Sequence, residues 1–274
     1  MKEEEIKQKL IADFTKRGYD FNIDNPKTIQ EKIQWMKVYD STSLKTKCAD
    51  KIKIHEYCKE KLGKDICTPI IKVYNNINEI KLDELPNQFV IKCNHGCHYN
   101  IIVKDKSKFN LQEAQNKLKV WLSRDFAFWY GCEMHYSPIE RKVFVEKYMN
   151  DGNDDLIDYK FLCFNGRPAY CQIISDRHNE LKRLNYYDMN FSFVDICRLE
   201  FPNNPEILDQ KPKNFELMKE YAKKLSEDFK FVRVDFYEIN NEVYLGELTF
   251  TPGSGYIKYK NPTDGLKLGN MLQL

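Results

Sequence analysis

The chain has 274 residues, of which 43 are Lys or Arg and 41 are Asp or Glu, giving a formal net charge of +2. A chain of this length can bury a large core in one composite domain or in two small ones. The nearly balanced charge excludes the strong basic excess with which nucleic-acid-binding proteins neutralise phosphates, so no nucleic-acid partner is expected.

Cysteine usage and the N-terminus predict a cellular compartment. The chain has nine cysteines, an odd number, and their spacing does not match that of small disulfide-rich domains. This favours reduced thiols in a cytoplasm. The first five residues are mostly acidic and lack the apolar core of a signal peptide. No segment approaches the roughly 18 apolar residues that span a bilayer. We therefore expect a cytoplasmic protein without a transmembrane segment; its oligomeric state is left open.

Apolar residues at helical spacing predict three helices in the first part of the chain. The first covers residues 3–18, and the second begins at a capping box formed by Thr28 and Glu31 and runs to about Tyr39. The third begins after Ser43, carries Lys51 and ends before Gly63. Residues 1–65 are thus predicted to be a short helical N-terminal segment.

From residue 66 onwards strand patterns dominate. They cover residues 68–74, 89–92, 101–103, 142–146, 159–164, 169–174, 231–237 and 243–250. Asn165-Gly166 is a typical hairpin turn, and an amphipathic helix is predicted over 214–228. Strands that lie mostly in hairpins, with helices packed on one face, predict an α+β fold.

The last predicted hairpin carries a pattern of charges with chemical meaning. Asp235 on its first strand can face Glu247 on its second, and Arg233 shares the face of Asp235 because side chains alternate along a strand. Two facing carboxylates need a cation between them, and Mg²⁺ prefers such oxygen ligands together with a substrate phosphate. The alternative is an ordinary surface hairpin with mixed charges.

A second candidate feature follows the strand that ends at Lys92. The loop Cys93-Asn-His-Gly-Cys-His98 comes directly after it, and a lysine beside a polar loop with glycine can hold phosphate. The same loop could also suggest zinc, but its Cys and His spacing is too cramped for a usual tetrahedral site.

Further charged residues could contact a nucleotide or an acidic substrate. A junction after a strand can present backbone groups to a purine, and nearby carboxylates can bind ribose hydroxyls. Each residue has a simpler interpretation as a solvated charge. The candidates are Lys51, Glu146, Tyr148, Asp154, Asp155, Asp158, Lys160, Arg177 and Arg183.

Taken in order, these motifs resemble the ATP-grasp superfamily, and more closely its TupA-like branch, found with teichuronopeptide and capsular polysaccharide clusters. The resemblance runs from about residue 30 to the C-terminus. Its segments are Leu85-Pro-x-x-Phe-Val-Ile-Lys-Cys-Asn-His-Gly96, Asp158-Tyr-Lys-Phe-x-Cys-Phe-Asn-Gly166, Ser175-Asp-Arg177 and Gly246-Glu-Leu-Thr-Phe-x-Pro-Gly-Ser-Gly255.

The resemblance implies an ATP-grasp-like α+β fold, in which two subdomains hold ATP between antiparallel sheets. It divides the chain into the helical segment 1–65, a lid subdomain 66–148 with a flexible loop over 94–98, and a core subdomain 149–274 with the metal site. The implied cofactor ligands are Lys51, Lys92, His95, Gly96, Glu146, Tyr148 and Asp158. The implied metal ligands are Asp235, Glu247 and Thr249, and the implied catalytic residues are Arg233, Lys160 and Arg177. Thr249 stands where the superfamily usually has Asn.

The activity implied by the resemblance is that of an ATP- and Mg²⁺-dependent carboxylate–amine ligase in capsular or cell-surface polysaccharide biosynthesis. Its substrates would be a nucleotide- or lipid-linked sugar carboxylate and an amine. Three alternatives remain open: an ATP-dependent kinase acting on a hydroxyl, a glycosyltransferase that uses Asp154 and Asp155, and a non-catalytic nucleotide- or glycan-binding protein.

Overall fold

Two antiparallel sheets and a set of packed helices form the protein. The computed structural model describes residues 3–18, 21–150, 156–175 and 183–274. The α-helices are α1 Glu3–Lys16, α2 Ile29–Tyr39, α3 Ser43–Ala49, α4 Ile54–Leu62, α5 Leu111–Ser123, α6 Phe126–Trp129, α7 Phe215–Ser226 and α8 Pro262–Asn270. The strands are β1 Ile70–Tyr74, β2 Phe89–Cys93, β3 Asn100–Val103, β4 Val143–Lys147, β5 Asp158–Phe164, β6 Arg167–Ser175, β7 Arg183–Asp188, β8 Phe193–Val194, β9 Phe231–Ile239 and β10 Glu242–Thr249.

The smaller sheet has four strands in the order β1-β4-β2-β3, and every neighbouring pair is antiparallel. Strands β2 and β4 are central and apolar, with Phe89, Ile91 and Val145 fully buried. Such continuous apolar runs are expected where both faces of a strand are covered. The charged residues Lys92 and Glu146 therefore stand out near the ends of these strands.

The larger sheet has six strands in the order β10-β9-β5-β6-β7-β8. Strand β9 pairs with β10 on one side and with β5 on the other. Helix α7 covers one face with Met218, Ala222 and Leu225, none of which is exposed. This apolar layer fixes which side chains of β5, β9 and β10 point away from the helix.

Helices α2 and α8 cover part of the larger sheet through a second apolar cluster. Ile29 and Ile33 of α2 join Phe164, Phe231 and Leu268 in it. The capping box predicted at Thr28 is present: the Thr28 side chain accepts a hydrogen bond from the Glu31 backbone NH, and the Glu31 carboxylate accepts one from the Thr28 backbone NH. The burial of this helix against the sheet gives it a fixed position beside the segment that follows the last strand.

The predicted third helix is wrong in one respect, because two helices replace it. Asp50 ends α3 in an extended conformation, and α4 begins only at Ile54. The Asp50 carboxylate accepts hydrogen bonds from the Ile52 backbone at 2.9 Å and from the Asn94 side chain at 3.0 Å. These bonds stabilise a turn, so Lys51 lies in that turn and not on a helix.

The α+β fold class predicted from the sequence is confirmed, including the hairpin turned at Asn165-Gly166 and the last hairpin. The division of the chain at residues 65 and 148 stays a prediction. In the parts of the chain that the structure describes, no helix combines the length and apolarity needed to cross a membrane.

Candidate active site

Three neighbouring strands of the larger sheet bring one basic and two acidic residues into a row. Lys160 of β5 is directly opposite Asp235 of β9, and Asp235 is directly opposite Glu247 of β10. Residues that are directly opposite in an antiparallel pair lie on the same face. The sequence-based expectation that Asp235 faces Glu247 agrees with this register.

A β-bulge in β10 makes this register possible. Leu245 pairs with Phe236 and Glu247 pairs with Asp235, so Gly246 is an extra residue. Without a bulge, Leu245 and Glu247 would share a face, because side chains alternate. With it, Leu245 is buried in the core and Glu247 turns toward Asp235. A Cβ atom at Gly246 would lie 2.8 Å from the Tyr237 ring, so glycine suits this position.

Arg233 connects the two carboxylates. Its Nε donates to Asp235 Oδ1 at 2.7 Å, and its Nη2 donates to Asp235 Oδ2 at 2.7 Å and to Glu247 Oε1 at 3.2 Å. The same Nη2 contacts Thr249 Oγ1 at 3.1 Å, and Thr249 donates to Glu247 at 2.9 Å. A guanidinium thus supplies positive charge where the sequence predicted a cation between the two acids.

The charges around Glu247 keep it ionised. Burial alone would raise its pKa, but Arg233, Lys51 and Lys160 together lower the pKa to about 2. Burial also opposes the charge of Arg233, yet the carboxylates of Asp235 and Glu247 raise the Arg233 pKa above its usual value. The site therefore holds paired charges at neutral pH.

Lys160 links the row to a third carboxylate. Its Nζ lies 2.5 Å from Asp235 Oδ2 and 3.4 Å from Asp158 Oδ1. All three side chains are largely buried. Asp158, predicted to bind ribose, therefore lies beside the predicted metal ligand Asp235.

Lys51 approaches this row from the side of the smaller sheet. Its Nζ donates to the Gly96 carbonyl at 2.5 Å, and its backbone NH donates to Asn94 O at 3.1 Å. Lys51 is near enough to lower the pKa of Glu247. The loop after β2 and the last hairpin thus lie on two sides of one charged cleft.

Lys92 and Glu146 form an ion pair across β2 and β4. Both were predicted as nucleotide ligands, for phosphate and adenine respectively, and in the structure each has the other as its partner. Tyr148 follows directly after β4 and is half-buried. Their roles toward ATP stay predictions.

His95 is packed inside the protein and does not face the cleft as a charged group. It is 1% exposed, its Nε2 lies 3.2 Å from the Trp121 carbonyl oxygen, and its ring packs edge-on against Tyr99. Burial lowers its pKa to about 4, so at neutral pH it carries no charge for a phosphate. Gly96 has φ +80°, and a Cβ atom there would lie 2.4 Å from the Phe126 ring. The loop predicted to be flexible therefore begins with tightly packed residues.

A buried network that the sequence analysis missed supports the segment after β10. Lys37 of α2, 1% exposed, donates to the carbonyl oxygens of Gly131 and Ser254 and to Ser254 Oγ at 2.7–2.9 Å. Glu133, also buried, lies near Lys37, Ser254 and Thr251. The motif Thr251-Pro-Gly-Ser-Gly255 was visible in the sequence, but its partners Glu133 and Lys37 are 118 or more residues away.

Three predicted residues lie outside the described ranges: Arg177, Asp154 and Asp155. Arg183, considered as a phosphate ligand, is described and pairs with Asp209 at 3.1 Å. Asp209 also accepts hydrogen bonds from Ser175, Asn185 and Tyr187. Arg183 is thus part of a separate polar cluster at β7.

The donor set on β9 and β10 fits Mg²⁺. Two carboxylates in register and a neighbouring hydroxyl supply the hard oxygen ligands that this ion prefers. Asp235, Glu247 and Thr249 would hold it, in competition with Arg233 and Lys160 for the same oxygens.

Sequence comparison identifies the family. The family model described as TupA-like ATPgrasp matches residues 31–273. The chain belongs to the TupA-like ATP-grasp family. The match covers both sheets and every charged residue of the cleft, so the Lys51 turn and the last hairpin both lie within the family's region. No curated protein shows a significant sequence match.

Solved structures similar to this TupA-like ATP-grasp chain include two D-alanine–D-alanine ligases. The Helicobacter pylori enzyme is 20% identical, with 82% of this chain and 61% of that chain covered and a TM-score of 0.47. The Bacillus anthracis enzyme complexed with ATP is 17% identical, with 74% and 53% covered and a TM-score of 0.42. An L-amino acid ligase from Bacillus licheniformis is 13% identical, with 76% and 42% covered and a TM-score of 0.44. The chain thus spans 42% to 61% of these proteins' length.

Proposed function

We propose that this protein is a cytoplasmic, ATP- and Mg²⁺-dependent carboxylate–amine ligase of bacterial capsular or cell-surface polysaccharide biosynthesis. Family membership supports this proposal. The observation that carries it is the row Lys160, Asp235 and Glu247, bridged by Arg233 and approached by Lys51 from the opposite side of the cleft. Carboxylates that can hold a metal ion and cationic side chains that can bind phosphates converge there. The substrates would be a nucleotide- or lipid-linked sugar carboxylate and an amine.

The first chemical step would form an acyl phosphate. A carboxylate oxygen of the acceptor attacks the γ-phosphorus of ATP, the bond to the β,γ-bridging oxygen breaks, and ADP leaves with the electron pair. Negative charge spreads over the transferred group. Arg233 and Lys160 supply positive charge on one side and Lys51 on the other, and Mg²⁺ when bound would neutralise the phosphate oxygens.

The second step would form the amide. The amine nitrogen attacks the carbonyl carbon of the acyl phosphate, the carbon–oxygen bond breaks, and inorganic phosphate leaves while the nitrogen loses a proton. The acyl phosphate must be protected from water. The packed loop around His95 and Gly96 would cover the phosphates, with the Lys51 contact to Gly96 holding it beside the cleft.

The proposal is tested by acceptor-dependent release of ADP, screened with uronic acids, their nucleotide-linked forms and amino acids. Asp235→Asn and Glu247→Gln should abolish the release while thermal unfolding remains cooperative, because each removes a metal ligand. Glu242→Gln is the matched control, since Glu242 is exposed on the same strand as Glu247. Full turnover in either site variant would contradict the metal assignment.

Hydroxylamine distinguishes the ligase from a kinase that uses the same cleft. An acyl phosphate is trapped as a hydroxamate, whereas a sugar phosphate is not. If an acceptor stimulates ADP release but no hydroxamate forms, the protein transfers phosphate to a hydroxyl and the ligase proposal is wrong. Binding of a nucleotide sugar in preference to ATP would favour a glycosyltransferase.

A further inference from the structure

A second group of potential metal ligands lies at helix α4, apart from the row of charges in the cleft. His55, Asp65 and Cys67 each offer one ligand atom, and these three atoms all lie within 4.8 Å of one another. His55 Nδ1 is 2.7 Å from Asp65 Oδ2. In the parts of the chain that the structure describes, this is the one such grouping of three or more His, Cys, Asp or Glu ligands.

A fourth donor adjoins this group. Cys58 lies one helical turn after His55 on α4, and its thiol lies near the thiol of Cys67. Cys58 Sγ also accepts a hydrogen bond from the Ile66 backbone at 3.5 Å. Helix α4 and the segment after it therefore contribute two donors each, and the turn at Gly63 brings them together.

We propose that His55, Cys58, Asp65 and Cys67 form a structural Zn²⁺ site. Zinc prefers four tetrahedral ligands drawn from thiolate, imidazole and carboxylate groups. With zinc–ligand bonds of about 2.0–2.3 Å, the ligand atoms of such a site lie about 3.5 Å apart. The ligand atoms of His55, Asp65 and Cys67 are already close to that spacing, whereas the Cys58 thiol would have to turn toward them.

Burial and access both suit a metal. Cys58 and Cys67 are buried, whereas the side chains of His55 and Asp65 are 19% and 41% exposed. The thiols are thus shielded by protein, and the imidazole and carboxylate provide a path from solvent. Asp65 is positioned by its own backbone neighbours, since its Oδ1 accepts a hydrogen bond from Cys67 NH at 2.9 Å.

The site would stabilise a segment that is attached to the last hairpin. Leu245 NH donates to Ile66 O at 2.8 Å, and Cys67 forms a parallel bridge with Leu245. Leu245 precedes the bulge that turns Glu247 toward Asp235. A metal at Cys67 would therefore hold the backbone beside β10 without touching a substrate.

The experiment uses the full chain, stripped with a chelator under reducing conditions and kept in excess Mg²⁺ so that oxygen-only sites are filled. Zn²⁺ binding is measured by competition with a chromophoric chelator, and Co²⁺ is added as a spectroscopic probe. We expect one tight Zn²⁺ per chain, a thiolate-to-cobalt charge-transfer band, and a higher unfolding temperature with Zn²⁺.

Variants identify the ligands. His55→Ala and Asp65→Asn change partly exposed positions and should fold; each should weaken Zn²⁺ binding at least about tenfold, as the loss of a ligand or its immediate support does. Cys67→Ser should also remove the charge-transfer band. Cys197→Ser, which removes a partly buried thiol far along the chain, should change neither signal.

The proposal fails if Zn²⁺ binds no more tightly to the wild type than to His55→Ala. It also fails if the charge-transfer band persists in Cys67→Ser, or if Cys58 and Cys67 form a disulfide under the reducing conditions used. These outcomes are independent of ATP turnover, so they do not bear on the ligase proposal.

Discussion

At the scale of single residues, Arg233 has the central electrostatic role. It donates to Asp235, Glu247 and Thr249 at once. Removing one partner from a buried group of charges is costly, because the others stay desolvated. Arg233 therefore keeps Glu247 ionised, and in the proposed reaction it would place positive charge beside the transferred phosphoryl group.

The pKa of Glu247 offers a direct test of this role. Its pKa of about 2 lies below the ordinary 4.5 because the effect of Arg233 and two lysines exceeds that of burial. Ionised Glu247 thus contributes stability above pH 4.5 that is lost as the pH falls toward 2. Arg233→Met removes the largest lowering contribution, so the Glu247 pKa should rise toward its ordinary value. Carboxyl ¹³C NMR, with the resonance assigned through Glu247→Gln, measures it.

Lys160→Met is the comparison for that titration. Lys160 has a smaller effect on the Glu247 pKa than Arg233, so its removal should produce a smaller upward shift. A Glu247 resonance that still titrates near pH 2 in Arg233→Met would show that Arg233 does not control this carboxylate.

Sequence reasoning could identify these residues but not all of their contacts. The strand period of two placed Arg233 and Asp235 on one face, and the hairpin brought Glu247 opposite. The contact between Lys160 and Asp235 depends on β5 pairing with β9, about 75 positions along the chain. No local pattern contains that pairing.

At the scale of elements, the segment after β10 depends on a distant helix. Gly253, Ser254 and Gly255 all have positive φ, at 56°, 51° and 72°. Three consecutive residues with positive φ form an unfavourable backbone conformation, particularly at serine, which has a Cβ atom. Lys37 binds the Ser254 carbonyl and hydroxyl, and Gln34 donates to the carbonyls of Ser254 and Gly255. Helix α2 therefore holds the backbone at Ser254 and Gly255, shortly after Thr249.

Lys37→Met should destabilise the protein by about 3 kcal/mol, because Glu133 and two carbonyl oxygens would lose a buried positive partner. Burial lowers the pKa of Lys37 to about 8 and raises the pKa of Glu133, which shows how strongly each charge relies on its surroundings. Urea unfolding measures the change.

Two further variants complete that experiment. Lys37→Met combined with Glu133→Gln should cost less than the sum of the single changes, since the second removes the charge that the first leaves unpaired. Lys27→Met, at an exposed position before the same helix, should have little effect. Strict additivity of the Lys37 and Glu133 variants would contradict their coupling.

Local signals predicted some elements better than others. The capping box at Thr28 and the Asn165-Gly166 turn are formed by neighbouring residues, and both are present. The break at Asp50 was missed because Asn94, 44 residues later, takes part in it. The bulge at Gly246 was also missed, although a glycine between an apolar and an acidic residue in a strand was its visible signal.

At the scale of the molecule, the alternation of hairpins and helices was enough to predict an α+β fold. The orders of the two sheets were not predictable from it. Strand β4 lies between β1 and β2. It follows β3 in the chain, after about 40 residues, yet does not pair with it. Long-range pairing of this kind is decided by the whole core.

Two buried histidines should make the whole molecule sensitive to acid. Burial lowers the pKa of His95 to about 4 and of His135 to about 3, from an ordinary 6.5. Between pH 6.5 and 4 the unfolded chain binds protons that the folded protein does not. The free energy of unfolding should therefore fall by about 2 kcal/mol per histidine between pH 7.5 and 5.

Denaturant unfolding at several pH values tests this expectation. His135→Gln and His95→Gln should each flatten the pH dependence, whatever they do to stability at pH 7.5. His98→Asn serves as the control, because His98 is exposed and asparagine tolerates its positive φ. An unchanged slope in both buried variants would refute the assignment.

The two sheets are joined through a very short piece of chain. Ile66 O is hydrogen bonded to Leu245 in the larger sheet, and Pro69 O is hydrogen bonded to Lys147 in the smaller sheet. Only Cys67 and Thr68 separate these anchor points. If one sheet rotates relative to the other to admit a nucleotide, the rotation at this crossing falls on the backbone dihedral angles of these two residues. We therefore expect the hinge at Thr68. Substitutions in this segment would change how easily the two sheets move relative to each other.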